Sequence, residues 1–358
     1  MTPTPKDDSA RRYLSELAHG TDRFHEPRRP DCPWCGSERL RTRLRTTDLL
    51  QRKPGTFVVD QCHDCAHAFQ NPRLSPEGLD FYHRDFHDAL GDWFPGGAAD
   101  RILGTGGERK RHLAVARAML RFPEPESWLD VGTGYGHFPA AAREVHPYTA
   151  FDGLDHSARV HKAQTAGRVE EAHRGRLTEL AGRLAGRYDV VSMFHHLEHS
   201  ADPREELRAA TTVLRPGGHL LIEVPDPDCA FSALLGRWWP SYFQPQHLHL
   251  MPLRNLLAEL ESLGYAIAAT DRREPHTPAD LAGALALAIG HHLPPPDAPW
   301  LPQARRRTLR SALLRATSPL LASAAALDHI LAPLTRRTRF SNAYRVIARR
   351  TREGAAGR

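Results

Sequence analysis

Four of the five cysteines in this chain form two pairs near its N-terminus. The segments CPWC (32–35) and CHDC (62–65) are separated by 26 residues. Four thiolates in this arrangement are typical of a tetrahedral zinc site, and they complete it without the neighbouring His63 and His67. Because the segment offers no large apolar core, bound metal would supply much of its folding free energy, so we expect a structural ion. The predicted zinc ligands are Cys32, Cys35, Cys62 and Cys65.

A glycine-rich turn forms a second candidate site. The segment DVGTGYG (130–136) follows an apolar run and opens a predicted helix. Glycines let the backbone turn tightly and approach a ligand without Cβ clashes, and the helix N-terminus adds free N–H donors. Asp155 lies 23 residues after Gly132, at the end of the next predicted strand. A carboxylate there can accept hydrogen bonds from both hydroxyls of a ribose, so the pattern predicts a nucleoside-containing ligand.

The spacing of the glycines distinguishes between cofactors. The dinucleotide fingerprint G-x-G-x-x-G requires glycine at position 137, which is histidine here. The G-x-G-x-G turn after Asp130 resembles the first motif of class I S-adenosylmethionine-dependent methyltransferases. Three further segments resemble later motifs of that class: FDGLDHS (151–157), YDVVSMFHHLEHSADP (188–203) and LRPGGHLLIEVPDPD (214–228). The resemblance covers residues 127–270 and 341–350.

This resemblance implies a fold, a cofactor and a set of binding residues. The expected fold is α/β: a Rossmann-like sheet of seven strands, with a small N-terminal zinc-ribbon-like module and a helical insertion before the last strand. Alternating strands and helices from residue 127 onward agree with a helix-covered parallel sheet. The expected S-adenosylmethionine-binding residues are Asp130, Gly132, Thr133, Gly134, Gly136, Asp155, Phe194 and His195.

The segment HHLEH (195–199) matches the H-x-x-E-H pattern of zinc hydrolases. That chemistry needs both histidines on one face of a helix. Here the segment follows an apolar strand and precedes Pro203, so we predict a strand end and loop and reject a hydrolase. In the methyltransferase class this strand end lines the methyl-donor pocket. Glu198 and His199 are interpreted as structural, with substrate contact by His199 as the alternative.

The segment after the second cysteine pair carries a second resemblance. A zinc knuckle followed by NPRLSPEGLDFYHRDF (71–86) resembles the N-terminal domain of nucleotide-sugar C-methyltransferases and related natural-product methyltransferases. There this domain covers the active site and helps to hold the substrate. Tyr82 falls where that family has a substrate-pocket tyrosine, and a core aromatic is the equal alternative.

A general base is needed only if the methyl acceptor must lose a proton. The family carries a Glu-His pair over the pocket, and this chain has Gln246-His247 in the corresponding segment. His247 is the first candidate catalytic base because imidazole titrates near neutral pH, and His199 is the second. The alternative for each histidine is a hydrogen bond within a loop. Glutamine in place of glutamate weakens the prediction of a sugar substrate.

Composition narrows the classes of protein. The chain has 358 residues, of which 41% are hydrophobic, so it can bury a core and is not disordered throughout. No segment reaches the roughly 18 apolar residues of a membrane span, and the N-terminus lacks a secretory signal, so we expect a cytoplasmic protein. Arginines after residue 300 give that region a charge of +11, from 13 Arg, one Asp and one Glu. This favours either a solvated arginine-rich face or attraction to phosphate or an anionic membrane.

We predict six regions along the chain. They are 1–28 (flexible N-terminus), 29–75 (zinc module), 76–122 (helical linker or cap), 123–274 (methyltransferase domain), 275–338 (helical insertion) and 339–358 (last strand and tail). The cap is expected to break at 95–97. In the insertion, apolar helices lie beside Arg305, Arg306, Arg307 and Arg310. They are interpreted as a lid, a dimer surface or a peripheral membrane contact. The oligomeric state is not predicted.

Together these features predict an S-adenosylmethionine-dependent methyltransferase with structural zinc. Its acceptor would be a carbon or oxygen of a small-molecule biosynthetic intermediate. One alternative is an RNA methyltransferase that uses the zinc module and basic region, although few aromatics are available there to stack bases. Another is a partner protein that binds S-adenosylmethionine without catalysis.

Overall fold

A computed structural model describes residues 5–85, 105–295, 298–301 and 307–351. The predicted break at 95–97 and the side chains of Arg305, Arg306 and Arg307 lie outside this description. By internal contacts the chain divides into two compact units. The N-terminal unit is drawn from Met1–Ile102, Phe231–Leu248 and Pro278–Pro333. The sheet unit is drawn from Leu103–Ala230, His249–Thr277 and Leu334–Arg358.

Strands and helices alternate through most of the chain. The strands are β1 (Leu40–Thr46), β2 (Phe57–Cys62), β3 (Ala68–Gln70), β4 (Ser127–Val131), β5 (Ala150–Asp155), β6 (Ala172–Arg174), β7 (Tyr188–Phe194), β8 (Leu214–Pro225), β9 (His249–Leu250), β10 (Tyr265–Asp271) and β11 (Ala343–Arg350). The α-helices are α1 (Pro5–Leu17), α2 (Pro76–His83), α3 (Thr105–Ala118), α4 (His137–Ala142), α5 (Arg159–Thr165), α6 (Leu177–Leu180), α7 (Pro203–Val213), α8 (Ala230–Leu234), α9 (Leu253–Ser262), α10 (Asp280–His292) and α11 (Arg307–Thr335).

The sheet unit is built on one mixed sheet of seven strands, in the order β10-β11-β8-β7-β4-β5-β6. Within the run β8-β7-β4-β5-β6, each pair of adjacent strands is parallel. β11 is antiparallel to both β8 and β10. Helical connections between the parallel strands are the hallmark of a Rossmann-like α/β fold. The predicted fold class, including a helical insertion ahead of the last strand, is therefore confirmed.

The sheet core is aromatic beneath the strands that carry the predicted cofactor site. Trp128 on β4 packs against Phe138 of α4 and Phe151 of β5, with ring centroids 5.4 Å apart in both pairs. Helix α3 adds Ala116 to this buried cluster. Leu120 lies in the 3₁₀ turn Met119–Arg121 that follows α3, and it is 60% exposed.

The N-terminal unit has its own aromatic core. Tyr13, Phe24, Phe81, Tyr82 and Trp300 are buried together, so α1, α2 and the segment at 298–301 meet there. Later in the chain, Asp328 on α11 accepts hydrogen bonds from the backbone N–H groups of Leu281 and Ala282 at 3.1 and 2.9 Å. A carboxylate from α11 thereby caps the N-terminus of the preceding helix, α10, which accounts for the burial of Asp328.

None of the helices in the described part of the chain combines the length and apolar character that crossing a bilayer requires.

Candidate functional site

The glycine loop joins β4 to α4 at the carboxyl edge of the parallel strands. Gly132, Gly134 and Gly136 have φ values of +77°, +53° and +72°. L-residues with a side chain rarely adopt this left-handed region. A Cβ at position 132 would lie 3.0 Å from Nδ1 of His196, whereas one at position 134 would meet nothing within 4 Å. The loop is thus held closely on one side by His196 and is open beside Gly134, where a ligand can approach the backbone.

Asp155 ends β5 next to this loop and is held from both sides. The backbone N–H of Gly134 donates to its Oδ2 at 2.9 Å. The backbone N–H and hydroxyl of Ser157 donate to its Oδ1 at 2.8 and 2.7 Å. The spacing from the glycine loop identified Asp155 but not Ser157, although Asp-x-Ser is a known turn pattern in which such bonds form. These contacts fix the carboxylate in one direction while each oxygen keeps further acceptor capacity.

Asp130 lies beneath the loop, at the penultimate position of β4. Its Oδ1 accepts a hydrogen bond from the Ser192 hydroxyl at 2.7 Å, and that hydroxyl accepts one from Nε1 of Trp128 at 2.9 Å. Burial raises the pKa of Asp130 to about 7, and the bond from Ser192 opposes this only in part. The hydrogen bonds from Trp128 to Ser192 and from Ser192 to Asp130 connect β4 to β7 beneath the loop, so they stabilise the shape of the loop.

The end of β7 contributes Phe194 and His195. Phe194 packs edge-on against Phe138 at 4.6 Å, and His195 has a positive φ of +49°. Nδ1 of His195 lies 3.1 Å from Oε1 of Glu198, which is fully buried. Burial acts to raise the pKa of Glu198, but the contact with His195, together with the charge of His199 and a backbone hydrogen bond, outweighs burial and the pKa is lowered. The carboxylate therefore stays charged and orients the imidazole.

The H-x-x-E-H segment does not lie on an α-helix. It continues from β7 into the 3₁₀ turn Leu197–His199, so the two histidines do not share a helix face. His196 lies between the two histidines of the pattern, His195 and His199, and its Nε2 is 3.6 Å from Oε2 of Glu206. Despite burial, which opposes charging, Glu206 raises the pKa of His196. The rejection of a zinc hydrolase is consistent with this geometry.

The two candidate bases belong to different units. His199 closes the 3₁₀ turn in the sheet unit. His247 is buried in the N-terminal unit, and its Nδ1 donates to the carbonyl of Ser241 at 2.8 Å, which selects the tautomer with its lone pair on Nε2. Gln246 is buried, with Nε2 donating to Oε1 of Gln51 at 2.9 Å. A neutral amide suits this position, where a buried glutamate would need to be desolvated. The catalytic roles of both histidines stay predictions.

Tyr82 is fully buried in the aromatic core of the N-terminal unit. Its hydroxyl donates to the carbonyl of Pro54 at 2.6 Å, and its ring meets Phe57 and Phe81 edge-on. This is the packing of a core aromatic, the second of the two interpretations offered by the sequence.

The four predicted cysteine ligands meet in the N-terminal unit. Sγ of Cys32 lies 3.6 Å from that of Cys65, and Sγ of Cys35 lies 3.6 Å from that of Cys62. All four sulfurs are within 4.8 Å of one another, and neither His63 nor His67 joins them. Zinc–sulfur bonds of about 2.3 Å in a tetrahedron place the sulfurs about 3.8 Å apart. The donor set and its spacing fit a single metal ion.

Both cysteine pairs end in the same backbone geometry. Gly36 and Ala66, the residues after Cys35 and Cys65, have positive φ values of +75° and +58°. Their N–H groups donate to the carbonyls of Cys32 and Cys62 at 2.9 and 3.0 Å. The chain therefore turns twice in the same way around the four sulfurs.

Comparison with known proteins agrees with this site. The family described as "Methyltransferase domain" matches residues 108–270. The "Ubiquinone biosynthesis O-methyltransferase" of Xanthomonas axonopodis pv. citri is 31% identical over 177 residues, which are 46% of this chain and 73% of that protein. The protein of the same name from Marinobacter nauticus is 29% identical over 33% of this chain and 44% of its own length. The chain spans about half the length of the first curated relatives it matches, 44% and 52%.

One of the similar solved structures is a "SAM dependent methyltransferase" from Archaeoglobus fulgidus. It is 18% identical, covers 70% of this chain and 97% of its own, and has a TM-score of 0.43. A similarity this low carries no argument about function. The strand order, the glycine loop with Asp155 and the sequence matches define the class: this chain belongs to the S-adenosylmethionine-dependent methyltransferases.

Proposed function

We propose that this protein transfers a methyl group from S-adenosylmethionine to an oxygen of a small biosynthetic intermediate. The observation that carries the proposal is the pairing of the open glycine loop with the anchored carboxylate of Asp155. An acceptor oxygen is favoured by the relatives, which are named as O-methyltransferases of ubiquinone biosynthesis. Transfer to carbon, as in the nucleotide-sugar enzymes that the N-terminal segment resembles, is the alternative.

The cofactor residues take distinct roles in this proposal. Asp155 accepts hydrogen bonds from the two ribose hydroxyls, and Ser157 holds it in position. The backbone from Gly132 to Gly136, with Thr133, lies against the nucleoside and the amino-acid part, supported from below by Asp130. Phe194 and His195 line the methyl-donor side. S-adenosylmethionine would supply an electrophilic methyl group on a sulfonium.

The chain then has to align the acceptor, exclude water and, for a hydroxyl acceptor, take up a proton. Alignment and exclusion of water supply much of the acceleration in such a displacement. Glu198 fixes the ring of His195 at the donor side of the site. His247 is our first candidate for the proton acceptor, because the Ser241 carbonyl accepts its Nδ1–H and so orients the ring. His199 is the second.

The metal in this proposal is a structural Zn²⁺ held by the four cysteine sulfurs. Support comes from their 3.6 Å separations and from the absence of an exchangeable ligand in the four-sulfur set. No disulfide joins any of the four cysteines, as ligation requires, which suits a reducing compartment such as the cytoplasm. The ion would stabilise the N-terminal unit and take no part in methyl transfer.

The test combines binding with turnover. Calorimetry of zinc-loaded protein with S-adenosylmethionine and with its demethylated product should give heats of binding. Incubation with a panel of catechols, other phenols and nucleotide sugars should then release the demethylated product with at least one acceptor class. Absence of binding would overturn the cofactor assignment. Binding without turnover across the panel would favour the alternative of a non-catalytic binding protein.

A further inference from the structure

Helix α11 has two unlike faces. One face is buried and includes Leu321, Ala325 and Asp328. The other carries six large apolar side chains that are 37–73% exposed. These are Leu309, Leu313, Leu320, Leu327, Ile330 and Leu334. Contiguous exposed apolar surface of this kind is characteristic of an interaction site.

The exposed residues follow a strict spacing. With Ala316 and Ser323, which are also exposed, the steps from 309 to 334 alternate between four and three residues without interruption. This is the heptad spacing of 3.5 residues, in which one narrow seam faces a partner helix. The seam is about 38 Å long at 1.5 Å per residue. An interfacial membrane helix presents a broader apolar face and needs no such period.

Helix α11 contains two prolines, Pro319 near the middle of the seam and Pro333 next to its last residue, Leu334. Pro319 lies beside the seam and cannot donate to the carbonyl of Arg315, four residues earlier. The hydroxyl of Ser318 donates to that carbonyl instead, at 2.8 Å. The hydroxyl of Ser323, a polar group within the seam, donates to the carbonyl of Pro319 at 2.9 Å. Because this hydroxyl is already hydrogen-bonded within the helix, burying Ser323 against a partner leaves no donor unsatisfied.

We propose that a second copy of this chain packs along this seam with α11 antiparallel to its own counterpart. The single acidic residue of the helix, Asp328, is buried, while Arg310 and Arg315 lie in its first half. A parallel pair would place the two arginine-bearing first halves side by side at the helix spacing of about 10 Å. Antiparallel pairing separates the two copies of Arg315 by about 20 Å and those of Arg310 by about 35 Å along the axis. Both distances exceed the Debye length of about 10 Å.

The area of the seam determines how strongly two copies of the chain are expected to associate. A strip about 38 Å long and about 10 Å wide projects to about 400 Å² per partner, against about 800 Å² in stable complexes. The dimer is therefore reversible and depends on protein concentration.

The experiment is analytical ultracentrifugation of the full chain from about 1 to about 200 μM, a range that spans micromolar affinities. Leu320→Glu and Leu327→Glu each place a charge in the seam and should weaken dimerisation at least tenfold. The matched control is Leu234→Glu, which alters an exposed leucine outside α11 and should leave the dimer unchanged. Orientation is tested by mixing Leu309→Glu with Leu334→Arg. These positions face each other only in the antiparallel pair, so the mixture should associate better than either variant alone.

Several results would overturn the proposal. A wild-type protein that stays monomeric throughout the range excludes it, as does a dimer that both seam variants leave intact. Flotation with phosphatidylcholine vesicles containing phosphatidylglycerol is the companion measurement. If monomeric protein floats with these vesicles and Leu320→Glu abolishes flotation, the seam faces a membrane surface and not a second copy.

Discussion

The backbone N–H of Gly134, in the loop after β4, donates a hydrogen bond of 2.9 Å to the carboxylate of Asp155, the last residue of the neighbouring parallel strand β5. Ser157 holds the other carboxylate oxygen. The direction of this carboxylate is therefore set before any ligand arrives. A group positioned in advance loses less conformational entropy on binding, which favours affinity.

Asp155→Ala should weaken binding of the demethylated cofactor product about 10- to 100-fold, because hydrogen bonds to a charged acceptor contribute about 1.5–3 kcal/mol. Calorimetry measures this directly. Glu170→Ala, which removes an exposed carboxylate in the same region, should leave the affinity unchanged. An Asp155→Ala protein that is folded and binds within twofold of wild type would exclude this carboxylate as the ribose ligand.

Gly132→Ala should lower the free energy of unfolding by about 1–3 kcal/mol and distort the loop. The backbone has φ +77° at this position, and the new methyl group would press on the ring of His196. Gly182→Ala is a suitable control, since its φ is not positive and no atom lies within 4 Å of the added carbon. Urea titration of both variants makes the comparison; equal losses would mean that the loop tolerates a side chain.

Cys62→Ser should reduce zinc content to a fraction of wild type and destabilise the N-terminal unit, because a structural site needs all four thiolates. Elemental analysis and thermal unfolding report the two effects. Cys229→Ser provides the comparison: it is another buried cysteine, but it belongs to the sheet unit and its Sγ donates to the carbonyl of Phe340. Full metal occupancy in Cys62→Ser would contradict a four-cysteine site.

Stability should fall as pH rises from about 4 to about 7, in part because of Asp130. Burial raises its pKa from an ordinary value of 3.8 to about 7, so in this window the folded state holds a proton that the unfolded state has released. Three pKa units correspond to about 4 kcal/mol. Asp130→Asn should remove this part of the slope, as measured by urea unfolding at pH 5 and pH 7.5. Glu144→Gln, which alters an exposed carboxylate, is the control. If the stability of Asp130→Asn changes with pH as much as that of Glu144→Gln, Asp130 does not titrate in this way.

Local patterns in the sequence were enough to identify the fold and the main parts of the site. Glycine spacing with a carboxylate at the next strand end identified Asp155, and paired cysteines identified four sulfurs that do meet. Contacts between residues that lie far apart in the sequence could not be predicted. The capping of Leu281 by Asp328 joins positions 47 residues apart, and nothing local marks either partner. The change from α-helix to 3₁₀ turn at Met119–Arg121 likewise leaves no clear signal in composition.

The position of β11 has a consequence for biosynthesis. This strand lies inside the sheet, between β8 and β10, yet the ribosome makes it last of the three, after the 70 or so residues that carry α10 and α11. Until it emerges, β8 and β10 each expose an unpaired edge of the kind that invites aggregation. Nascent chains stalled after β10 and before residue 343 should therefore depend on chaperones, and an early stop codon in this stretch should yield insoluble protein.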